Sequence, residues 1–193
     1  SRGLGDVYKR QIQTELVLIG GGHANIQVLK SFAMRPIDGL RVSLISDVLN
    51  SPYSGMLPGF ISGEYSHEDM HINLLNLSNS ANARFIQAKI TSINTKHRII
   101  HCEERPDINY DLISINTGIA PDLEQIEGAK EYAVAVKPIS HFLNNLPKID
   151  MKIRSPQHSL VIVGSGAAAI ELAFAFRTRF NKTKNSPRII IIG

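Results

Sequence analysis

Two short apolar runs organise the chain, Leu16-Val17-Leu18-Ile19 near its start and Leu160-Val161-Ile162-Val163 near its end. Each stops in a glycine-rich turn, Gly20-Gly21-Gly22-His23-Ala24-Asn25 and Gly164-Ser165-Gly166-Ala167-Ala168-Ala169, and a helix-like pattern follows. In the first unit the pattern predicts a strand over 14–20 and a helix from Asn25 to Met34. Ile26, Leu29, Phe32 and Ala33 share one helical face, and Pro36 ends the helix. Arg41 to Ser46 reads as the second strand of a βαβ unit. The second βα unit opens at Ser159, and Arg188 to Gly193 reads as a buried strand where the sequence stops.

Between these units the period shortens. Residues 84–90 and 97–103 alternate as strands joined by Asn94-Thr95-Lys96, which predicts a β-meander. Asp111 to Asn116 is an apolar strand followed by Thr117-Gly118-Ile119-Ala120-Pro121, where Thr-Gly lets a ligand approach the backbone and Pro121 turns the chain away. Residues 123–157 carry Gly128, Pro138, Pro147 and Pro156, and read as a connection with a short helix around His141 to Leu146. Ser1 to Gln11 lacks apolar periodicity and reads as a non-native leader from cloning or assembly. The expected class is α/β, a Rossmann-like two-dinucleotide-binding fold with a β-meander and a truncated second domain.

The turns carry the chemistry. A strand entering a helix tightly needs a residue without a Cβ, which Gly20 and Gly164 supply. Gly22 and Gly166 are expected to let a pyrophosphate lie almost on the backbone, drawn by the unpaired N–H groups and positive end of the helix. The third fingerprint position lets helix and strand pack closely; Ala169 suits it and Asn25 departs from it. Glu171 completes a GxGxxAxE pattern. A lone turn of this kind is a weak signal. Two in matching contexts point to a protein that holds two dinucleotides, the layout for passing a hydride from a nicotinamide to a flavin.

Composition narrows the class. With 43% hydrophobic and 20% charged residues, the chain has the balance of a soluble globular protein, and no run reaches the length needed to span a bilayer. A lone cysteine, Cys102, excludes a disulfide framework and fits a reducing, cytoplasmic setting; it reads as a packing residue. The net charge of +4 is spread out, so the cluster Arg177, Arg179, Lys182, Lys184 reads as a solvated helix end and no nucleic-acid partner is expected. His67-Glu68-Asp69-Met70-His71 matches HExxH literally. Zinc chemistry needs that motif in a long helix with a third ligand downstream. Here Gly63 precedes it and Ser66-x-x-Asp69 reads as a capping box, so no metal is expected.

Two segments keep two readings each. Ser46 and Asp47 end the second strand, where an acidic residue accepts hydrogen bonds from an adenosine ribose; Asp47 serves equally as a cap for the next turn. The stretch Ser51-Pro52-Tyr53-Ser54-Gly55-Met56-Leu57-Pro58-Gly59 is dense in turn formers yet carries Tyr, Met and Leu. It fits a loop lying against a flat ring system, or a hydrophobic loop anchor.

On the two glycine turns and the Pro52-to-Gly59 string, the chain resembles the FAD/NAD(P)-dependent pyridine nucleotide-disulfide oxidoreductase superfamily. It is most similar to a branch related to type II NADH dehydrogenases that is found fused to, or beside, selenide,water dikinase. The resemblance implies that Gly20, Gly22, His23, Ala24 and Asn25 hold the FAD pyrophosphate end and that Asp47 or Ser46 holds the ribose. It places Pro52, Tyr53, Ser54, Met56, Leu57 and Pro58 near the flavin and Ile90 against the adenine. Thr117 and Gly118 return the chain to FAD, Lys137 either faces the cofactor or is an exposed linker residue, and Gly164, Ser165, Gly166, Ala167, Ala168 and Glu171 take NAD(P)H. The implied domains are the first part of an FAD domain over 12–122, a connection over 123–157, and the start of an NAD(P)H domain over 158–193.

The string at 53–59 contains no cysteine where disulfide reductases carry CxxxxC, so electrons are expected to leave for a non-disulfide small-molecule acceptor such as a quinone. The implied activity is an FAD-dependent NAD(P)H oxidoreductase with no named catalytic acid or base. Quinone-reducing relatives imply peripheral contact at the inner face of a membrane through a C-terminal part beyond this sequence. The alternative is a cofactor-holding module that regulates or scaffolds a fused or adjacent selenium-metabolism enzyme.

Overall fold

The computed structural model describes residues 12–153, 158–181 and 186–193. The expected leader, Pro156, Lys182 and Lys184 lie outside the described residues. The chain divides into two units, one of residues 1–51 and 72–118, the other of residues 52–71 and 119–193. The segment 52–71 thus clusters with the later part of the chain rather than with its flanks.

The first unit is built on β1 (Thr14–Ile19), α1 (His23–Met34) and β2 (Leu40–Ser46), and the short β3 (Asn50–Pro52) runs out of it. Residues 57–70 form α2 (Leu57–Ser62) and α3 (His67–Met70) of the second unit, and the chain returns through β4 (His71–Asn73) and α4 (Leu74–Ser80). Then come β5 (Arg84–Gln87), β6 (Ile90–Asn94), β7 (Ile99–Cys102), β8 (Arg105–Asn109) and β9 (Leu112–Ile115). Four strands form a parallel sheet in the order β5-β2-β1-β9. β1 is central because its side chains are apolar on both faces. Leu18 packs with α1 and α4 on one side, while Val17 and Ile19 pack with Ile100 and Tyr110 on the other.

The antiparallel sheet β6-β7-β8 is the expected meander, with two differences. The predicted strand 84–90 splits: 84–87 joins the parallel sheet beside β2, and Ile90 starts the meander. β8 was not foreseen, because Arg105-Pro106-Asp107 carries no alternating apolar signal and pairs only through the β7 hairpin.

A buried charge ties the amino-terminal ends of the sheet together. Glu15 is 7% exposed; its carboxylate accepts from Ser43 Oγ at 2.6 Å and from Arg41 Nε. Its own N–H donates to Asp111 Oδ2 at 2.7 Å. Strands β1, β2 and β9 are therefore locked in register by one residue's groups.

The second unit contains α2, α3, α5 (Ala129–Tyr132), α6 (Ile139–Ile153), β10 (Ser159–Val163), α7 (Ala167–Phe180) and β11 (Arg188–Ile192). Strands β10 and β11 pair in parallel, as the second βα unit requires. Helix α6 is longer than the short helix expected at His141 to Leu146 and runs through Pro147. Ile139, Phe142, Leu146 and Ile153 bury one stripe against Leu172, Phe176 and Phe180 of α7, and that packing offsets the hydrogen bond Pro147 cannot donate. Arg179 is not a solvated helix end: it holds Asp150 with two nitrogens, at 2.8 and 2.6 Å, and donates to the Ile61 carbonyl. Arg177 likewise donates to Ser186 Oγ at 2.9 Å.

The HExxH stretch is a four-residue helix start. Ser66 accepts from the Asp69 N–H and Asp69 accepts from the Ser66 N–H, the expected capping box. The bonds from Ser66 hold the Asp69 carboxyl below the usual carboxylate range. The His67 and His71 rings stack with centroids 4.0 Å apart, in keeping with their i, i+4 spacing.

Two outcomes test this packing. Glu15→Ala leaves Ser43 Oγ without its partner and should cost about 2 kcal/mol, seen as a lower urea midpoint at an unchanged denaturant slope. Burial and the nearby Asp107 raise the Cys102 thiol above the ordinary range, with Arg105 opposing. Less of it is thiolate at neutral pH, so its alkylation rate should climb with pH later than that of a free thiol measured alongside.

Candidate functional site

The first glycine turn lies where the strand order reverses, between β1 and β9 at their carboxyl ends. In parallel α/β sheets this switch point forms the binding crevice. Gly20 has φ +85° and would place a Cβ 2.5 Å from the Asn116 carbonyl oxygen, so only glycine fits. Gly22 is the N-cap of α1 and has no side chain to cap it.

The space beside Gly22 is occupied by a side chain. A Cβ there would lie 2.2 Å from Asn116 Oδ1, so the vacated space holds the Asn116 carboxamide. The Gly22 N–H donates to the Asn116 carbonyl at 3.1 Å, and the Ala24 N–H, expected to face a ligand, donates to Asn116 Oδ1 at 2.9 Å. Asn116, where the strand expected from Asp111 ends, caps α1 from the neighbouring strand.

Asn25 is also corrected. It is 1% exposed, so its side chain is not a ligand contact. Its Nδ2 donates to the Ile19 and Gly20 carbonyls, both at 2.9 Å, and its Oδ1 accepts from Ser114 Oγ at 2.8 Å. The position that glycine or alanine fills by smallness is filled here by a hydrogen-bonded strut. Ser114 was missed, although a lone polar residue within Leu112-Ile113-Ser114-Ile115 marks a buried partner. Ser51, which donates to the Gly21 carbonyl at 2.7 Å, was noted only as part of a loop.

The remaining first-unit positions separate by exposure. Ser46 is 5% exposed and accepts from the Val48 N–H, whereas Asp47 beside it is exposed. Of this pair, only Asp47 has an exposed side chain. His23, Thr117 and Gly118 are exposed around the turn, and a Cβ at Gly118 would meet nothing within 4 Å among the described residues. Ile90 is half-buried and packs on the cluster of Val17 and Ile45.

In the second unit, residues 52–58 are not a loop throughout. Ser54–Met56 is a turn of 3-10 helix and Leu57 begins α2, with Pro58 in its first turn where a missing N–H costs nothing. Leu57 is 4% exposed in the core and Met56 packs against that cluster, so the hydrophobic-anchor reading holds for Leu57. Pro52 and Tyr53 are half-buried and Ser54 is exposed. The Tyr53 N–H donates to the Met70 carbonyl at 2.8 Å. Lys137 is exposed.

The second glycine turn differs from the first. Gly164 has φ +128°, and its N–H donates to the Ile192 carbonyl at 2.6 Å. A Cβ at Gly164 or Gly166 would meet nothing within 4 Å among the described residues, and no side chain caps α7. Ala169, at the third fingerprint position, is buried at 7% exposed. Ser165, Ala167, Ala168 and Glu171 are exposed around this open helix start, which is a cradle suited to an anion.

Comparison with known proteins accounts for the two turns together. Residues 14–190 match the pyridine nucleotide-disulphide oxidoreductase family. The chain belongs to that family. Its α/β, Rossmann-type FAD/NAD(P)-binding fold is the fold of the family. The chain is 27% identical over 168 residues to the NADH dehydrogenase-like protein YutJ of Bacillus subtilis (strain 168), covering 84% of this chain and 45% of that protein. It is 28% identical over 165 residues to the sulfide-quinone reductase of Aquifex aeolicus (strain VF5), covering 83% of this chain and 37% of the relative. The structure of NDH2 from Plasmodium falciparum in complex with NADH aligns with a TM-score of 0.74 at 21% identity, over 93% of this chain and 41% of that one. At that identity the likeness shows the fold. The chain spans less than half the length of these curated relatives.

The strut makes a direct prediction. Asn25→Ala takes the side-chain partner from the Gly20 carbonyl and from Ser114 Oγ, leaves the Ile19 carbonyl only the Asn116 N–H, and should lower stability by roughly 2 kcal/mol in chemical denaturation. If Ser114→Ala in the same background adds nearly nothing, the two residues act as one unit.

Proposed function

We propose that this chain is the dinucleotide-binding part of an FAD-dependent NAD(P)H oxidoreductase that delivers electrons to a quinone-type or other small non-disulfide acceptor. The observation that carries the reading is the pair of glycine turns. Each starts a helix at the carboxyl end of a parallel strand, and each uses a positive-φ glycine at the first position.

In this reading FAD occupies the switch point of the first unit. Gly20, Gly22, His23, Thr117 and Gly118 line its diphosphate end, and Asp47 its ribose. NAD(P)H occupies the turn of Gly164, Ser165, Gly166, Ala167 and Ala168, with Glu171 behind it. The same reading assigns 12–122 to the FAD domain, 123–157 to a connection and 158–193 to the start of the NAD(P)H domain. The bound cofactors supply the two-electron chemistry, while the protein supplies binding and orientation. The chain's part at the second turn is to present α7's unpaired amides to a diphosphate.

A quinone-type acceptor is supported by the relatives and by the lack of cysteine across 52–59. The one cysteine, Cys102, lies on a meander strand with its thiol held protonated by burial, which suits packing and not a relay. The alternative, a regulatory module, would draw support from Asn25 as a departure from the glycine fingerprint. Asn25 proves to be a strut that builds the turn, which removes much of its support. The link to selenide,water dikinase rests on the resemblance alone. Among the described residues no helix is long and apolar enough to cross a membrane.

The test is anaerobic addition of NADH or NADPH to the full-length flavoprotein. The flavin absorbance should bleach, and a soluble quinone should restore it. Gly164→Val should abolish bleaching by the nicotinamide while dithionite still bleaches. Bound FAD that stays oxidised under both nicotinamides would sink the oxidoreductase reading.

A further inference from the structure

We propose that the Asn116 carboxamide competes with the dinucleotide's diphosphate for the amino terminus of α1, so that this one residue sets the affinity of the first turn. The inference rests on the reading of that turn as the FAD site. Three observations carry it. Gly22 cannot cap its own helix, and the bond that a cap would make to the Ala24 N–H comes from Asn116 Oδ1 at 2.9 Å. The Asn116 main chain is anchored independently, its N–H donating to the Ile19 carbonyl at 2.8 Å and its carbonyl accepting from Gly22. The side chain can therefore leave by rotation alone. Finally, the carboxamide sits in the space that the absent Gly22 Cβ provides.

The competition is unequal in a useful way. A neutral carboxamide satisfies one helix-start N–H with an ordinary hydrogen bond. A diphosphate makes charge-assisted bonds to the same group and also gains from the helix dipole. The carboxamide thus keeps the empty turn formed and yields to the ligand, at the cost of part of the binding free energy. The neighbouring strut, Asn25 with Ser114, holds the turn from beneath and does not need to move.

Two substitutions separate this role from a structural one, because stability and affinity should shift in opposite directions. In flavin-stripped full-length protein, Asn116→Ala loses the cap and should melt about 3 °C lower, yet bind FAD roughly threefold to tenfold more tightly by fluorescence quenching. Asn116→Asp keeps the acceptor and adds a negative charge at the helix start. It should melt at or above the wild-type temperature and bind FAD at least about tenfold more weakly. Should the alanine variant fail to fold, the aspartate variant still decides the matter, since it retains the cap. Stability and affinity falling together in either variant, or affinity unchanged in both, would overturn the competition while leaving the FAD site intact. Wild-type protein that binds no FAD, or that binds it undisturbed after Gly20→Val, would instead overturn the site assignment and this inference with it.

Discussion

The close approach of the end of β9 to the β1–α1 turn is the constraint on which the first unit depends. Gly20 and Gly22 lack the atoms that would collide with Asn116, and the room they leave is taken up by that residue. Beneath it, Asn25 donates to the Ile19 and Gly20 carbonyls while its own Oδ1 accepts from Ser114 Oγ. An unpaired carbonyl here would be costly, because β1 packs apolar side chains on both faces. β1 is also the strand against which both core layers pack. A loosened turn would therefore disturb the helical layer and the meander together.

The two glycine turns show how one local pattern acquires two environments. Both begin with a positive-φ glycine and both feed a helix whose N-cap is glycine. The first is braced by a strand on each side of β1, and one of those strands supplies the capping carboxamide. At the second, β10 pairs with β11 in a two-stranded sheet, and the helix start faces open space among the described residues. At the first turn the Gly22 and Ala24 N–H groups donate to Asn116, whereas at the second no side chain among the described residues caps the helix start. The difference belongs to the neighbouring strand and not to the glycines.

The parts of the site that were legible in the sequence are those fixed by short-range chemistry. Gly20 and Gly164 had to be glycine for their backbone angles, Ala169 had to be small for helix–strand packing, and Ser66 with Asp69 had to cap a helix over three residues. Arg179 failed that kind of reading. Its run of basic neighbours looked like a solvated face, yet its partners, Asp150 and the Ile61 carbonyl, lie 29 and 118 residues away. Leu57 carried two readings, a loop beside a ring or a hydrophobic anchor, and its burial with α6 and α7 decides for the anchor.

By itself the sequence determined the alternation of strand and helix, the two glycine turns and the lack of a second cysteine, since each follows from residue type and spacing within a few positions. Only the tertiary structure decided that Asn25 is a strut, that Glu15 locks three strands, and that Asn116 caps a helix 92 residues earlier in the chain. Hydrophobic period and glycine geometry are properties of a segment. The partner of a buried polar group is a property of the strand order, which brings distant residues to the same sheet edge and leaves their hydrogen bonds no water to fall back on.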